Sequence, residues 1–303
     1  MGGVAGCLGI DLGGTKVALR AEAPGLSPRD VDFRWPVGTD AAQDMDAVAA
    51  GVAGLRARWD VTVDAVGVAV PATVDAAGRV VAWPNRPGWT GLDLVAALRG
   101  MFPGAEVGHA DDGDLAALAE ADHLGCADLV YVGVGTGVGG GIVLDGRSLP
   151  GTAKGSCEIG HLVVDRGGPV CDCGRRGCVQ AVASGRAVLR AASRLRGEQV
   201  SFDQLREAWL ARAGWAVTAV TDGCAALAAA IVGVGELVHP GMAVVGGGFA
   251  AGLPGFVPAV AEQVAALARP GHPVAPVRAA EFGGLSSLRG AVLLARSLRG
   301  NRA

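Results

Sequence analysis

The sequence lacks features that would mark whole classes of protein. Charge of one sign is not in excess, because 26 lysine and arginine residues face 29 aspartate and glutamate residues. No strong field therefore favours nucleic acid or an anionic membrane as a partner. Residues 1–12 show no basic segment followed by a long apolar one, and no later stretch reaches membrane-spanning length without glycine or charge. We expect a cytoplasmic protein that acts on a small molecule.

A disulfide framework is also missing. The seven cysteines are odd in number, and three of them crowd together as Cys171, Cys173 and Cys178, a pattern that favours a metal site in a reducing compartment. With His161 they make one imidazole and three thiolates, the ligand set of a closed tetrahedral zinc site. Because all four positions are filled, we predict structural zinc. Buried thiols without metal are the alternative, but polar, glycine-rich surroundings make a poor core.

The chain has the length and apolar content for two domains. It has 303 residues, half of them hydrophobic, and this is enough to bury a substantial core. Residues 7–19 and 129–144 repeat one pattern, in which apolar runs flank a glycine-rich turn. The repeat predicts two α/β domains facing each other across a cleft. We place the small domain at 1–111, with the C-terminal helix 289–303 as a candidate addition, and the large domain at 112–288.

Hydrophobic periodicity locates the main elements. Helices are predicted at 45–59, 114–124, 202–212, 218–238, 257–267 and 286–298. Strands are predicted at 65–70, 129–134 and 243–245, besides those flanking the two glycine turns. The segment 225–234 is apolar all round, which is typical of a helix buried between layers.

The glycine turns carry residue types that bind phosphate. Glycines let backbone N–H groups approach a phosphate closely, a nearby carboxylate suits Mg²⁺, and a threonine adds a hydroxyl. The candidate phosphate-binding residues are Asp11, Gly13, Gly14, Thr15, Lys16, Gly135, Thr136, Gly137, Gly247 and Gly248. A plain hairpin turn is the alternative interpretation of the first turn.

Residues 135–140 also satisfy the pattern GxGxxG. A dinucleotide-binding fingerprint must open a helix. Here an apolar run is followed by Asp145-Gly146, a dipeptide typical of hairpins. We therefore set a dehydrogenase aside.

An acidic cluster precedes one predicted helix. Asp114 suits an N-cap, where negative charge is favourable. That role does not require Asp111 and Asp112, and paired carboxylates suit a catalytic base that meets a substrate.

Together with Pro-Asn-Arg-Pro-Gly-Trp at 84–89 and Glu-Ile-Gly-His at 158–161, these motifs resemble the ROK family of sugar kinases and repressors. Their order and spacing match along nearly the whole chain. The resemblance implies an α/β actin-like ATPase (sugar kinase) fold, with two α/β domains flanking a cleft that holds ATP, Mg²⁺ and a sugar. It also implies a homodimer or homotetramer.

The resemblance implies roles for individual residues. Asp112 would be the general base that takes the proton of the attacking 6-hydroxyl of a hexose. Sugar contacts would come from Asn85, Asp111, Asp112, Glu158, His161 and Gln180. The glycine turns would hold the phosphates of ATP, with Gly247 and Gly248 near the adenosine.

Three positions depart from the family pattern. The family commonly has glycine at Ala72, asparagine at Asp111 and glutamate at Gln180. The last two concern expected sugar contacts, so they bear on which sugar is used. Adjacent carboxylates at 111 and 112 repel each other unless a cation is near, and a substrate ammonium would supply one.

We therefore hypothesise an amino sugar such as kanosamine, which is glucose with an amino group on carbon 3. Glucose stays open, since Asp111 can accept a hydrogen bond from an ordinary hydroxyl, and so does a cyclitol. A non-catalytic, sugar-responsive ROK regulator is disfavoured. The first glycine turn lies so close to the start of the sequence that no helix-turn-helix domain fits before it.

Overall fold

The computed structural model describes residues 5–38, 40–59, 61–151 and 155–300. The chain forms two compact units, each with its own sheet and core. Unit 1 comprises Met1–Ala119, Pro150–Ser156 and Leu285–Ala303, and unit 2 comprises Glu120–Leu149 and Cys157–Gly284.

Unit 1 is a five-stranded sheet with helices on it. Its strands are β1 (Ala5–Leu12), β2 (Lys16–Glu22), β3 (Arg29–Arg34), β4 (Thr62–Ala69) and β7 (Glu106–Ala110), and a small hairpin pairs β5 (Thr73–Val74) with β6 (Val80–Ala82). Its helices are α1 (Ala41–Arg56), α2 (Leu94–Met101), the first part of α3 (Asp112–Leu124) and α10 (Ser286–Gly300). The strand order is β3-β2-β1-β4-β7, antiparallel up to β1 and parallel from β1 to β7.

Unit 2 repeats this arrangement. Its strands are β8 (Leu129–Val134), β9 (Val138–Leu144), β10 (Arg147–Leu149), β11 (Met242–Gly246) and β12 (Val277–Ala279). Its helices are α4 (Val179–Ala183), α5 (Gly185–Arg196), α6 (Phe202–Leu210), α7 (Gly214–Val238), α8 (Gly248–Gly252) and α9 (Phe256–Ala266). The order β10-β9-β8-β11-β12 again combines an antiparallel meander with parallel crossovers.

The predicted duplication is therefore confirmed at the level of strand order. Each unit begins with a strand, a glycine turn and an antiparallel strand. After the second glycine turn the chain continues through β9 into β10, and Asp145 (φ 51°) and Gly146 (φ 73°) form the connecting turn. A dinucleotide-binding fingerprint must be followed directly by a helix. Here the GxGxxG run leads into the strand β9 instead.

All six predicted helices exist, with ends that differ by several residues. The largest differences are at the starts of α1 and α7, each four residues earlier than predicted, and α3 begins at Asp112 rather than Asp114. Four helices were not predicted, the short α4 and α8 and the longer α2 and α5. The longer two, α2 and α5, carry ordinary capping signals: Asp93 accepts the N–H of Ala96, Ser184 accepts the N–H of Ala187, and Gly197 ends α5 in the left-handed conformation.

A row of three glycines lets α10 lie close to the sheet of unit 1. Gly9, Gly67 and Gly108 are direct neighbours on β1, β4 and β7. A Cβ added at Gly67 would lie 2.0 Å from the carbonyl oxygen of Ala291, and one at Gly9 would lie 2.6 Å from a methyl of Val292. At Gly9 and Gly67 α10 thus lies where a side chain would otherwise stand, and at Gly108 the side chain of Leu298 does.

The helix α7 is the central helix of unit 2. By length and composition it is apolar enough to cross a membrane, but half of its apolar window is buried inside the protein. Its buried residues, which include Leu227 and Ile231, belong to the core of unit 2. The predicted segment 225–234 is thus a core helix, but it is not buried all round, since Ala225 and Gly233 are exposed.

The division between the units falls inside α3. Its first residues, up to Ala119, group with unit 1, whereas the sequence analysis began the large domain at residue 112. The helix α10 groups with unit 1.

Candidate functional site

Three parallel strands of unit 1 bring acidic residues to one edge of the sheet. Asp11 lies opposite Ala69 of β4, and Ala69 lies opposite Ala110 of β7. The chain leaves β7 directly into Asp111 and Asp112. Because the carboxyl ends of parallel strands share one edge, this edge collects carboxylates from β1 and from the start of α3.

Asp11 is in an environment that disfavours negative charge. Burial, and next the negative charge of Asp112, raise the pKa of Asp11 to about 7, against an opposing effect of Lys16. The electrostatic link shows that the carboxylates of Asp11 and Asp112 lie near each other in unit 1. A cation placed beside them would relieve this repulsion.

The start of α3 is organised by Asp111. One of its carboxylate oxygens accepts the backbone N–H of Gly113 at 3.0 Å, and its carbonyl accepts the N–H of Leu115 at 3.1 Å. Asp111 therefore occupies the capping position. The prediction that Asp114 caps this helix is wrong, since Asp114 lies buried inside the first turn.

The first glycine turn is held from two sides. The indole Nε1 of Trp35 donates to the carbonyl oxygen of Gly13 at 2.6 Å. A Cβ built on Gly14 would lie 3.0 Å from the amide nitrogen of Asn85, so the turn and the predicted sugar contact are neighbours in unit 1. Thr15 and Lys16 are exposed at the end of the turn.

The second glycine turn, in unit 2, is closed by backbone and side-chain bonds. The N–H of Gly135 donates to the carbonyl of Gly137 at 2.9 Å, and the side-chain oxygen of Gln180 accepts the N–H of Val138 at 3.2 Å. Gly137 has no room for a side chain, because an added Cβ would lie 2.8 Å from that oxygen. The structure thus places Gln180, predicted as a sugar contact, against the glycine turn.

The start of α5 adds a residue that the sequence analysis missed. Gly185 donates its N–H to the carbonyl of Gly135 at 2.9 Å, and Arg186 Nε donates to the carbonyl of Thr136 at 3.3 Å. Arg186 also pairs with Asp172 of the cysteine-rich loop, at 3.2 Å. The signal that was available is the N-cap Ser184, which places Gly185 and Arg186 at the start of a helix.

Gly247 and Gly248 lie beside the same turn. Gly247 has a φ of 89°, and a Cβ there would lie 2.5 Å from the carbonyl oxygen of Val134, at the end of β8. Only glycine suits this left-handed, crowded position. Within unit 2 the predicted phosphate and adenosine residues are therefore adjacent.

The predicted metal ligands come together. One ligand atom each of His161, Cys171, Cys173 and Cys178 lies within 4.8 Å of the others. Both His161 Nδ1 to Cys171 Sγ and Cys173 Sγ to Cys178 Sγ measure 3.7 Å. Zinc at about 2.3 Å from each sulfur of a tetrahedron would space the sulfurs by about 3.8 Å, so the four residues fit such an ion.

The loop around these ligands is shaped by glycine. Gly174 and Gly177 have φ values of 87° and 71°, and a Cβ on Gly177 would lie 1.5 Å from the carbonyl oxygen of Asp165. The backbone N–H of Arg175 is the main cause that lowers the pKa of Cys173 to about 6, which favours the thiolate that a metal needs. Glu158, a predicted sugar contact, is exposed directly before the 3₁₀ turn Ile159–His161.

These features define a class of protein. Paired α/β units with a glycine turn in each, and carboxylates at the ends of parallel strands, are those of the actin-like ATPase fold. The chain belongs to the ROK family, since the model of the "ROK family" matches residues 7–297. Its similarity to a kinase over nearly the whole length of both proteins makes it a sugar kinase of that family.

Individual relatives agree with this assignment. The chain is 53% identical to a kanosamine kinase from Amycolatopsis mediterranei (strain S699), over 95% of each protein. It superposes on a ROK hexokinase from Thermus thermophilus with a TM-score of 0.86 at 30% identity, covering 98% of this chain and 99% of the other. A ROK family glucokinase from Streptomyces griseus, solved in complex with glucose and AMPPNP, gives 0.78 at 27% identity, covering 96% and 99%.

Proposed function

We propose that this sugar kinase transfers the γ-phosphoryl group of ATP to the 6-hydroxyl of a hexose, with kanosamine as the preferred substrate. The observation that carries the proposal is the acidic edge of unit 1, where Asp111 and Asp112 directly follow β7 and Asp112 acts electrostatically on Asp11. The 53% identity to a kanosamine kinase supports the same substrate.

Asp112 is the proposed general base. Its carboxylate takes the proton of the 6-hydroxyl while the hydroxyl oxygen forms a bond to the γ-phosphorus. The bond between that phosphorus and the bridging oxygen breaks, and ADP leaves with its electron pair. Phosphoryl transfer needs mainly positioning and charge stabilisation, so the glycine turns supply backbone N–H groups to the phosphates.

Mg²⁺ fits the acidic edge. The residue that would hold it, through water, is Asp11, whose raised pKa reports the cost of negative charge in this place. When bound, the ion would neutralise charge on the phosphates. Lys16 stands at the exposed end of the first turn, where an ammonium can add to this neutralisation.

The substrate preference rests on Asp111. A carboxylate at this position, next to a second carboxylate, suits an ammonium better than a hydroxyl. The N–H of Gly113 fixes the orientation of its side chain. Asn85, Glu158, His161 and Gln180 complete the proposed sugar contacts, with His161 using the ring nitrogen that does not face Cys171.

Zinc is proposed as a structural ion held by His161, Cys171, Cys173 and Cys178. The two 3.7 Å contacts between ligand atoms support it. From the family resemblance we propose further that the protein is cytoplasmic and assembles as a homodimer or homotetramer.

The test compares kcat/KM for kanosamine and glucose in the wild type, Asp112→Asn and Asp111→Asn. Asp112→Asn should lower kcat for both sugars by about 10²–10⁴ because the proton acceptor is lost. Asp111→Asn should keep activity but move the preference towards glucose by about tenfold or more, since a charged hydrogen bond to the ammonium is lost.

Asp122→Asn is the matched control, an exposed aspartate near the other end of the same helix. Asp122→Asn should leave kcat/KM unchanged for both sugars. Near wild-type turnover by Asp112→Asn would refute the assignment of the base. A kanosamine to glucose ratio that Asp111→Asn does not change would refute the amino-sugar preference.

A further inference from the structure

A buried carboxylate of unit 1 lies outside every role described so far. Asp44, on α1, has only 1% of its surface exposed. One of its oxygens accepts from Arg86 Nη1 at 2.5 Å and from Trp89 Nε1 at 2.7 Å. Both donors belong to segment 84–89, which also carries Asn85. Asp44 therefore anchors the segment that presents a proposed sugar contact.

The same arginine reaches towards the first glycine turn. The guanidinium carbon of Arg86 lies 4.2 Å from the centroid of the Trp35 ring, a distance at which a cation is attracted by the face of the indole. Trp35 in turn donates its N–H to the carbonyl oxygen of Gly13 at 2.6 Å. A continuous series of contacts thus runs from Asp44 through Arg86 and Trp35 to Gly13.

The series joins two parts of unit 1 that lie far apart in the sequence. It fixes the turn 13–15 at one end and segment 84–89 at the other, and these parts meet where Gly14 lies against Asn85. The Asp44 carboxylate and the Arg86 guanidinium are both largely removed from water, with side-chain exposures of 1% and 15%. Removing one partner of such a pair leaves the other uncompensated, so the arrangement is held firmly.

We propose that Asp44, Arg86 and Trp35 are positioning residues that set the first phosphate-binding turn in register with the sugar-binding segment. None of the three is assigned a contact with a substrate. Trp35 positions the phosphate-binding turn through its hydrogen bond to the Gly13 carbonyl. Asp44 positions Arg86, which in turn holds segment 84–89 and packs on Trp35. This proposal rests on the proposed hexose kinase activity.

A purely structural role for the aromatic cluster is the competing explanation, and Trp83 separates the two. Trp83 packs edge-to-face on Trp35, with ring centroids 6.4 Å apart, and it is equally buried. Its Nε1 makes no hydrogen bond within the described part of the chain. Trp35→Phe and Trp83→Phe therefore each replace one indole of the same cluster by a phenyl ring. Only Trp35→Phe also removes a hydrogen bond to the glycine turn.

The experiment measures kcat, KM for ATP, KM for kanosamine and the melting temperature of both variants. Trp35→Phe should lower kcat/KM for ATP by about three- to tenfold, as expected for one lost hydrogen bond. Its KM for kanosamine should change by less than about twofold. Trp83→Phe should show a comparable fall in melting temperature without the change in kcat/KM for ATP. Equal kinetic effects in the two variants would overturn the proposal.

A double-mutant cycle tests the connection to Asp44. If Asp44→Asn and Trp35→Phe act on one series of contacts, the double variant should lose less kcat/KM for ATP than the product of the single losses. A loss equal to that product would mean that Asp44 and Trp35 act independently, and it would overturn the proposed connection between them.

A binding experiment distinguishes failure of the positioning role from failure of the proposed hexose kinase activity. Titration of Mg-ADP into the wild type, Trp35→Phe and Trp83→Phe measures nucleotide binding without any sugar. If the wild type phosphorylates no hexose, the proposed function fails. Weaker Mg-ADP binding by Trp35→Phe alone would then still support the positioning role, and equal binding by all three proteins would reject it.

Discussion

At the scale of single residues, Asp11 occupies a position that disfavours negative charge. It sits in a strand whose neighbours are apolar, and burial together with the charge of Asp112 raises its pKa to about 7. In the unfolded chain the pKa of aspartate is about 3.9. Between these values the folded protein binds a proton that the unfolded chain has released, so the free energy of unfolding falls as pH rises through this window.

Asp11→Asn should remove this part of the pH dependence. In Mg²⁺-free buffer, the free energy of unfolding of the wild type should fall between about pH 4.5 and 7.5 by roughly 2–4 kcal/mol more than that of the variant. Urea denaturation at several pH values measures both curves. The two proteins share every other titrating group, so parallel curves would contradict an elevated pKa at Asp11.

At the scale of elements, the packing of α10 on the sheet of unit 1 depends on the row Gly9, Gly67 and Gly108. At each of these glycines α10 lies so close to the strand that an added methyl group would clash with it. The nearest atom at Gly67 is a backbone oxygen of α10, which cannot move as a flexible side chain can. The helix itself must shift.

We expect Gly67→Ala to destabilise the protein by about 2–4 kcal/mol, because overpacking against backbone forces the helix away from the strands. The control is Gly54→Ala on the exposed side of α1, where an added Cβ meets nothing within 4 Å. That change should be neutral or stabilise by up to about 1 kcal/mol, since alanine favours helix. Chemical denaturation of both variants gives the comparison. A small effect at Gly67, similar to that at Gly54, would show that α10 adapts freely.

At the scale of the whole molecule, the candidate metal ligands lie next to the core of unit 2. The candidate ligand Cys178 directly precedes α4, and Val179 and Ala183 of α4 belong to the core of unit 2. Unit 1 has a separate core that contains Trp83 and Trp89. Loss of zinc should therefore loosen unit 2 first, because metal binding to such ligands is coupled to folding.

Chelation of zinc should lower the melting temperature by about 5–15 °C. Hydrogen exchange should increase first in residues 157–184. Cys173→Ser should reproduce the effect, while Cys126→Ser, the same substitution in another loop of unit 2, should not. Metal analysis by mass spectrometry should find about one zinc per chain. A zinc-free preparation with full activity and an unchanged melting temperature would contradict a structural ion.

The sequence by itself determined the features that short segments encode. Periodicity located six helices, glycine turns marked both strand repeats, and the spacing of Cys171, Cys173 and Cys178 identified candidate metal ligands that the structure brings together. Such patterns depend on interactions within a few residues, so they survive without knowledge of the fold. The start of α3 shows the limit, because the sequence pattern favoured Asp114 as the cap, whereas the backbone conformation puts Asp111 there.

Only the tertiary structure decided the contacts between distant segments. The glycine row requires the register of three strands, the raised pKa of Asp11 requires burial together with Asp112, and the bond from Trp35 to Gly13 requires a tryptophan placed by a different strand. The physical reason is that strand register and packing set these distances, and a change of register by one residue would turn every side chain to the other face. Local sequence patterns carry no record of which remote residues become neighbours.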